Sequence, residues 1–146
     1  MPKRFTLEEA QRLIPSVEKL LGEAIEFKST YDEAEREAQA VSERITLAGG
    51  LSVDRRRVLG IRRRRDAGAR AVRETLEKVQ ELGCVVKDLD TGLVDFPTLF
   101  HGREVYLCWK RGEPAIRYWH GVEEGFAGRK AIDQEFLDHH EGDRAQ

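Results

Sequence analysis

Cysteine is scarce in this chain. The two that occur, Cys84 and Cys108, stand neither in a CxxC pair nor at a metal-ligand spacing, which argues against a disulfide framework or a zinc ribbon and leaves two reduced, buried thiols as the expectation. Long apolar runs are missing too. No window approaches the roughly 18 apolar residues of a bilayer span, and the N-terminal MPKRFTLEEAQRLIP has no apolar leader core, so neither secretion nor membrane spanning has support and the cytoplasm is the expected location. Net charge is small, −2 over the whole chain. A protein so balanced has no overall attraction for nucleic acid or anionic lipid.

What the chain does have is charge in segments. Its 146 residues are 40% apolar and 36% charged, enough apolar material for one modest core, and residues 1–146 read as a single domain. Residues 7–47 hold ten acids and five bases, residues 53–82 five acids and ten bases, and residues 83–146 twelve acids and eight bases. The first two segments are charge complements.

Thr6-Leu7-Glu8-Glu9 has the spacing of a capping box and marks a helix start. Pro15 removes a backbone donor and crowds the turn before it, which predicts a kink or break at residues 12–14. From Val17 onward apolar residues recur every seven positions, in the series Val17, Ala24, Tyr31, Ala38, Ile45 and the series Leu20, Phe27, Ala34, Val41, Ala48. This pattern predicts a coiled-coil-like helix about 50 Å long with a narrow apolar seam. Gly49 and Gly50 supply its stop. A second helix begins near Ser52 or Asp54, carries the seam Val58, Ile61, Arg65, Gly68 or Ala69, Val72, Leu76, Val79, Leu82, and stops at Gly83. So short a turn forces 7–47 and 53–82 into an antiparallel helical hairpin that lays acid-rich helix along base-rich helix. Its narrow seam leaves length uncovered, so the C-terminal part or a second copy packs on it, and a homodimer is the expected assembly.

After Gly83 the apolar period falls to two. CVVKD and LVDFP read as short strands joined by the LDTG turn, with Pro97 closing the second. REVYLCWK and AIRYWH read as a hairpin about RGEP, with Val105, Leu107 and Trp109 sharing one face and Ile116, Tyr118 and His120 sharing a face. Residues 84–130 thus form a small antiparallel sheet with a closing loop, and residues 131–146 a weakly ordered tail. The expected fold class is α+β, with the sheet at the open end of the hairpin.

The spaced motifs GxxVKDLxTGLVDFP at 83–97, GREVYLCW at 102–109, GEP at 112–114, YWH at 118–120 and GFAGR at 125–129, behind FTLEEAxxLIP, cover nearly the whole chain. Together they resemble the uncharacterised prokaryotic family known as domain of unknown function 2203. The resemblance implies a cytoplasmic bacterial protein with a helical hairpin and a small sheet, and it carries no catalytic residues across. The arginine-rich run at 55–65 lies outside those motifs.

Three clusters invite a functional reading. His120, at a strand end, is followed by Glu123 and Glu124, with Asp95 and His101 on neighbouring sheet elements; an imidazole with carboxylates suits Zn²⁺ or Mn²⁺, or general acid–base work in a small metal-dependent hydrolase. The structural alternative is a strand-end histidine held by hydrogen bonds, and no other cofactor is evident. Asp95, between Val94 and Phe96, needs a partner if buried, and Arg103 or Arg129 can supply an ion pair locking sheet to loop. Aromatics Tyr106, Trp109, Tyr118 and Trp119 serve either as base-stacking platforms or, by the commoner use, as sheet core. Arg62, Arg63 and Arg64 step round the helix axis, so some reach solvent, where they can hold phosphate or nucleic acid, or pair with Glu33, Glu35, Glu37 and Glu43 within the hairpin or across a dimer. On balance the chain reads as a non-catalytic interaction or scaffolding protein, with a protein partner or a second copy favoured over nucleic acid and no membrane role.

Overall fold

The computed structural model describes residues 3–47 and 54–143. In chain order the elements are α1 (Leu7–Leu47), α2 (Arg55–Glu81), β1 (Val85–Asp88), β2 (Leu93–Phe100), β3 (Arg103–Lys110), β4 (Tyr118–Gly121), a 3₁₀ turn (Phe126–Gly128), β5 (Lys130–Ala131), α3 (Gln134–His139) and β6 (His140–Glu141). This is a mixed α+β fold with a long helix, a second helix packed on it and a small antiparallel sheet. Where composition suggests one folding unit, contacts group the chain into two, one running up to Leu21 and resuming from Leu76, the other Gly22–Thr75. Among the described residues no helix is long and apolar enough to cross a membrane.

The capping box forms as its spacing predicts. Thr6 Oγ1 accepts from the Glu9 amide at 3.1 Å, and Glu9 Oε1 accepts from the Thr6 amide at 3.0 Å, so two otherwise orphaned donors are satisfied reciprocally. The expected break before Pro15 is absent, and α1 runs through it. Pro15 is exposed, so its lost hydrogen bond opens onto water, while Ala10, Ile14, Val17 and Leu21 bury a stripe on the covered side. Asp54 caps α2, its Oδ1 accepting from the amides of Arg56 at 3.0 Å and Arg57 at 3.4 Å. The glycine stop at 49–50, Ala48 and the Ser52 alternative lie outside the described residues. α2 ends at Glu81, and Gly83 in the turn that follows has a φ of 101°. A side chain there would meet Lys3 Cβ at 2.9 Å and the Phe5 ring at 3.0 Å, so glycine is required on both counts.

Within residues 22–75 the helices run antiparallel: Glu35 pairs with Arg65 and Glu37 with Arg64, and further back along α1 Tyr31 lies against Gly68, further on along α2. The backbones approach closely there. A Cβ on Gly68 would sit 3.2 Å from the Tyr31 amide nitrogen and 3.3 Å from the Phe27 carbonyl. Of the two residues proposed for this seam position, Gly68 is buried and Ala69 exposed. The seven-residue seam holds at Ala34 and Ile61, but Leu21 is buried where Leu20 was expected, and Phe27 is 39% exposed. Around residues 10–24 the buried positions Ala10, Val17 and Ala24, with Ile14 and Leu21, keep the seven-residue spacing, and part-buried Leu13 and Leu20 widen the covered face beyond a coiled-coil seam.

In the other unit the sheet order is β1-β2-β3-β4-β5, all neighbours antiparallel, with β6 also pairing β2. Val94, Phe96, Val105, Leu107 and Trp109 share one core with Phe5, Ile14, Val17, Leu21 and Val79. Alternation puts the next residues, Asp95, Tyr106, Cys108, Tyr118 and His120, on the opposite face. Ile116 departs from the expected grouping: it precedes β4 and joins the core. Gly92, with φ of 70°, makes the β1–β2 turn. The β2–β3 turn is two residues, His101 and Gly102, both with positive φ, which matches the twist of the strands it joins.

Pro97 does not end β2. Its carbonyl accepts from the Phe5 amide at 2.7 Å, so residue 97 directs its backbone groups away from β3. On that side β1 pairing stops at Asp95 and β6 pairing starts at Leu99. The missing donor therefore falls in a gap between partners.

The tail is built in. Phe136 is fully buried in the core, Asp133 caps α3 through Phe136, and His140 Nε2 accepts from the Leu7 amide at 3.0 Å, satisfying a first-turn donor of α1. Asp143 and Arg4 exchange two bonds of 3.0 Å. The weak helical periodicity after residue 130 hides one large anchor, and that anchor orders the segment. Phe136→Ala is expected to cost about 3–5 kcal/mol. Denaturant unfolding checks this, and a loss below about 1 kcal/mol would mean the tail contributes little to the core.

Candidate functional site

Three adjacent strands each contribute one fully buried polar or thiol side chain to the sheet face opposite the core. Asp95 on β2 is the direct cross-strand neighbour of Cys108 on β3, and His120 on β4 lies opposite Tyr106, one pleat away on the same face. All three are buried, Asp95 with 1% and His120 with 3% of its surface exposed. A ligating atom from each lies within 4.8 Å of the others.

The hydrogen bonds restrict where protons can be. His120 Nδ1 faces the Gly121 carbonyl at 2.8 Å, and a carbonyl only accepts, so Nδ1 carries a hydrogen. His120 Nε2 faces Asp95 Oδ1 at 2.9 Å, so one further proton is shared between imidazole and carboxyl. The other carboxyl oxygen, Oδ2, is shut off from water and makes no well-formed hydrogen bond. Burial, and after it the Asp95 charge, pushes the Cys108 thiol up to about 12. Cys84, whose Sγ donates to the Val79 carbonyl at 3.4 Å, is pushed up to about 11 by burial.

The sequence-predicted metal set does not assemble as a whole. His120 and Asp95 meet, but Glu123 is exposed, and Glu124 turns to the Gly121 amide at 3.1 Å and to Lys130 Nζ at 2.6 Å. Those contacts, Lys130 first, hold the Glu124 carboxyl below its ordinary range. Cys108 takes the place intended for the glutamates. Its alternation with Leu107 and Trp109 was the available signal, since it puts Cys108 on the Asp95 face. His101 lies at the β2–β3 turn, 3.4 Å from Glu135.

The ion pairs also differ from expectation. Asp95 faces His120 rather than Arg103 or Arg129, because its cross-strand neighbour on that face is the short Cys108 and His120 reaches it from β4, across β3. Arg103 is exposed at the start of β3. Arg129 instead donates to both oxygens of Glu113, at 2.6 and 2.9 Å, and lies over the rings of Tyr118 at 4.1 Å and Phe126 at 4.7 Å. Glu113 in turn accepts from the Lys110 amide at 2.6 Å, and its carbonyl accepts from Trp109 Nε1 at 3.0 Å. Arg129 and Glu113 thus fasten the loop to the sheet. This arrangement also fills the aromatic faces: Trp109 is fully buried, Lys87 lies over Tyr106, and Trp119 is packed by Phe100, Phe136 and Lys130. Trp109 is thereby withdrawn from any stacking role, while Tyr106, Tyr118 and Trp119 are part-exposed with a cation over each ring.

A family model described as an uncharacterized conserved protein (DUF2203) matches residues 3–132. The chain belongs to this family. No curated protein and no solved structure matches it. The matched span takes in Asp95, Cys108, Glu113, His120 and Arg129, and leaves out α3 and β6.

Removing one partner of the buried pair leaves the other uncompensated. In chelator-treated protein Asp95→Ala is expected to cost about 3–5 kcal/mol, and replacing Asp95 and His120 together with leucine to recover much of it; urea unfolding of the single and joint variants reads both. The thiols predict a pH trend. Their folded values lie above the ordinary 9.0 of an exposed thiol, so their contribution to stability is fully present below pH 9 and is lost as pH rises toward 11 and 12. Unfolding midpoints measured across alkaline pH should fall more gently in Cys84→Ala than in the wild-type chain.

Proposed function

We propose that the protein is a non-catalytic interaction module that associates through its helical hairpin, and that its partner there is a second copy of the chain. The observation that carries this reading is an apolar seam left part-covered in the outer stretch of the hairpin. Ala38, Val41, Ile45 and Val58 are only half-buried, they border a groove of about 280 Å³ with Ile61 at its floor, and Leu59 is 49% exposed. Fully burying an exposed Val, Leu or Ile side chain is worth about 1.5–3 kcal/mol, of which the half-buried ones here stand to gain roughly half each. By contrast, the ion pairs Arg64–Glu37 and Arg65–Glu35 are largely solvated and are worth about 0.2–1 kcal/mol each. Apolar contact therefore drives association, and charge selects the register.

The charge pattern favours self-association over other protein partners. Arg62, Arg63 and Glu43 form no ion pair among the described residues, and Glu33 interacts with Arg64 only through its charge. Each copy thus carries acidic groups on α1 and basic groups on α2 that a partner can use, the self-complementary condition that a two-fold interface requires. The reading of a non-catalytic role is supported by the burial of Asp95, Cys108 and His120, which present no surface to a substrate. Along the groove of about 830 Å³ beside Thr6, Gln11 and Ile116, Gln11 and His140 already accept from the Ile116 and Leu7 amides.

Light scattering coupled to size exclusion, on the full chain at tens of micromolar, is expected to give the mass of a dimer. Leu59→Glu with Val58→Glu should return a monomer of unchanged helicity by circular dichroism. A wild-type monomer overturns the proposal; a monomer that also retards nucleic acid in a salt-sensitive manner would transfer the role to Arg62, Arg63 and Arg64 as phosphate contacts.

A further inference from the structure

We infer that Asp95, Cys108 and His120 form a zinc-binding centre, a site independent of the hairpin reading. The three side chains come from three neighbouring strands and converge on one point without sharing a loop, so the sheet itself sets their geometry. Their ligating atoms already lie within 4.8 Å of one another. Zinc bonds of about 2.0–2.3 Å in a tetrahedral arrangement bring such atoms to within about 3.3–3.8 Å, a closure of an ångström or so.

Two details of the hydrogen bonding fit a metal better than a purely structural pair. Asp95 Oδ2 is inaccessible and makes no well-formed hydrogen bond, with only the weak donor of the Cys108 thiol interacting with the carboxyl, an arrangement that costs free energy unless something else binds that oxygen. His120 gives its Nδ1–H to the Gly121 carbonyl, which fixes the ring and presents Nε2 to the site, the arrangement in which a protein usually holds a metal-bound imidazole. Arg129, which reaches the Cys108 carbonyl at 3.4 Å, does not fill the role of counter-ion to Asp95, because Glu113 takes it with two bonds.

Charge identifies the class of ion. A thiolate, a carboxylate and a neutral imidazole carry two negative charges, so one divalent cation leaves the site neutral, as burial this deep demands. On binding, the Cys108 thiol proton and the proton shared by Asp95 and His120 both depart, and the carboxylate and thiolate electron pairs bind the metal. A mixed sulfur, nitrogen and oxygen set with thiolate selects zinc over magnesium, calcium or manganese. No fourth histidine, cysteine or acidic side chain joins the cluster among the described residues, so water completes the shell. With all three ligands enclosed, the ion enters as the sheet forms.

The test uses the full chain, purified without a metal-affinity tag, stripped with chelator while unfolded, freed of chelator and refolded with the metal present. Titration with Co²⁺ is expected to saturate at one equivalent with a thiolate-to-cobalt charge-transfer absorption, which one equivalent of Zn²⁺ abolishes. The absorption should persist in Cys84→Ala and vanish in Cys108→Ser. Because Cys108→Ser can disturb folding, X-ray absorption at the zinc edge of Zn²⁺-loaded Cys84→Ala protein gives a second reading in a chain whose only thiol is Cys108. One sulfur neighbour is the expected result. Failure to bind Co²⁺ stoichiometrically, an absorption that survives in Cys108→Ser, or a zinc shell without sulfur overturns the proposal.

Discussion

Strand alternation is the constraint from which most of this structure follows. Along β2, Val94 and Phe96 enter the shared core while Asp95 between them is turned to the other face, and β3 repeats the division with Leu107 and Trp109 against Cys108. A register slip of one residue would exchange the two sets, placing a carboxylate and a thiol among Phe5, Val17 and Leu21 and aromatic rings against the polar cluster. The apolar side penalises that slip by several buried side chains. The polar cluster is therefore positioned by packing on the face it does not occupy, and β4 needs only the same register to add His120.

The two units are stabilised in different ways. Around the sheet, large side chains such as Phe5, Phe96, Trp109 and Phe136 interlock, and the polar groups that remain are taken up by specific bonds such as Gln11 to the Ile116 amide and Arg129 to Glu113. Between residues 22 and 75 the contact relies on small residues, Ala34 and Gly68, that let backbones approach. Close approach gains dispersion contact but buries less apolar area. Arg64 holds the Glu37 carboxyl below its ordinary range, chiefly through their hydrogen bond, yet both groups stay in water and add little.

Features with local physical causes were legible in the sequence. The capping box at Thr6 and Glu9, the stop at Gly83, the turn at Gly92 and the β3–β4 pairing each depend on residues close together in the chain, and each forms. Features set by distant neighbours were not legible. Pro97 looks like a strand end until Phe5 is seen bonding to its carbonyl in the gap between β1 and β6. Pro15 looks like a break until the buried stripe of Ala10, Ile14 and Val17 is weighed against one lost bond. At the candidate site, period-two alternation could place Asp95, Cys108 and His120 on one side, but sequence proximity drew attention to Glu123 and Glu124, which serve Gly121 and Lys130 instead. Phe136 and His140 lie far along the chain from Leu7, and nothing nearby in sequence announces their attachment to α1.

One consequence of the β2 surroundings concerns how such a sheet grows. Its terminal strands are β1, four residues with an irregularity between Val86 and Asp88, and β5, two residues, and the flank of β2 beyond β1 is sealed by Phe5 and the two residues of β6. Among the described residues no border offers the long, flat ladder of free amides and carbonyls that another polypeptide could extend. Recruitment of foreign strands, whether in a complex or in a fibril, is thereby discouraged, and intermolecular recognition is left to side-chain surfaces.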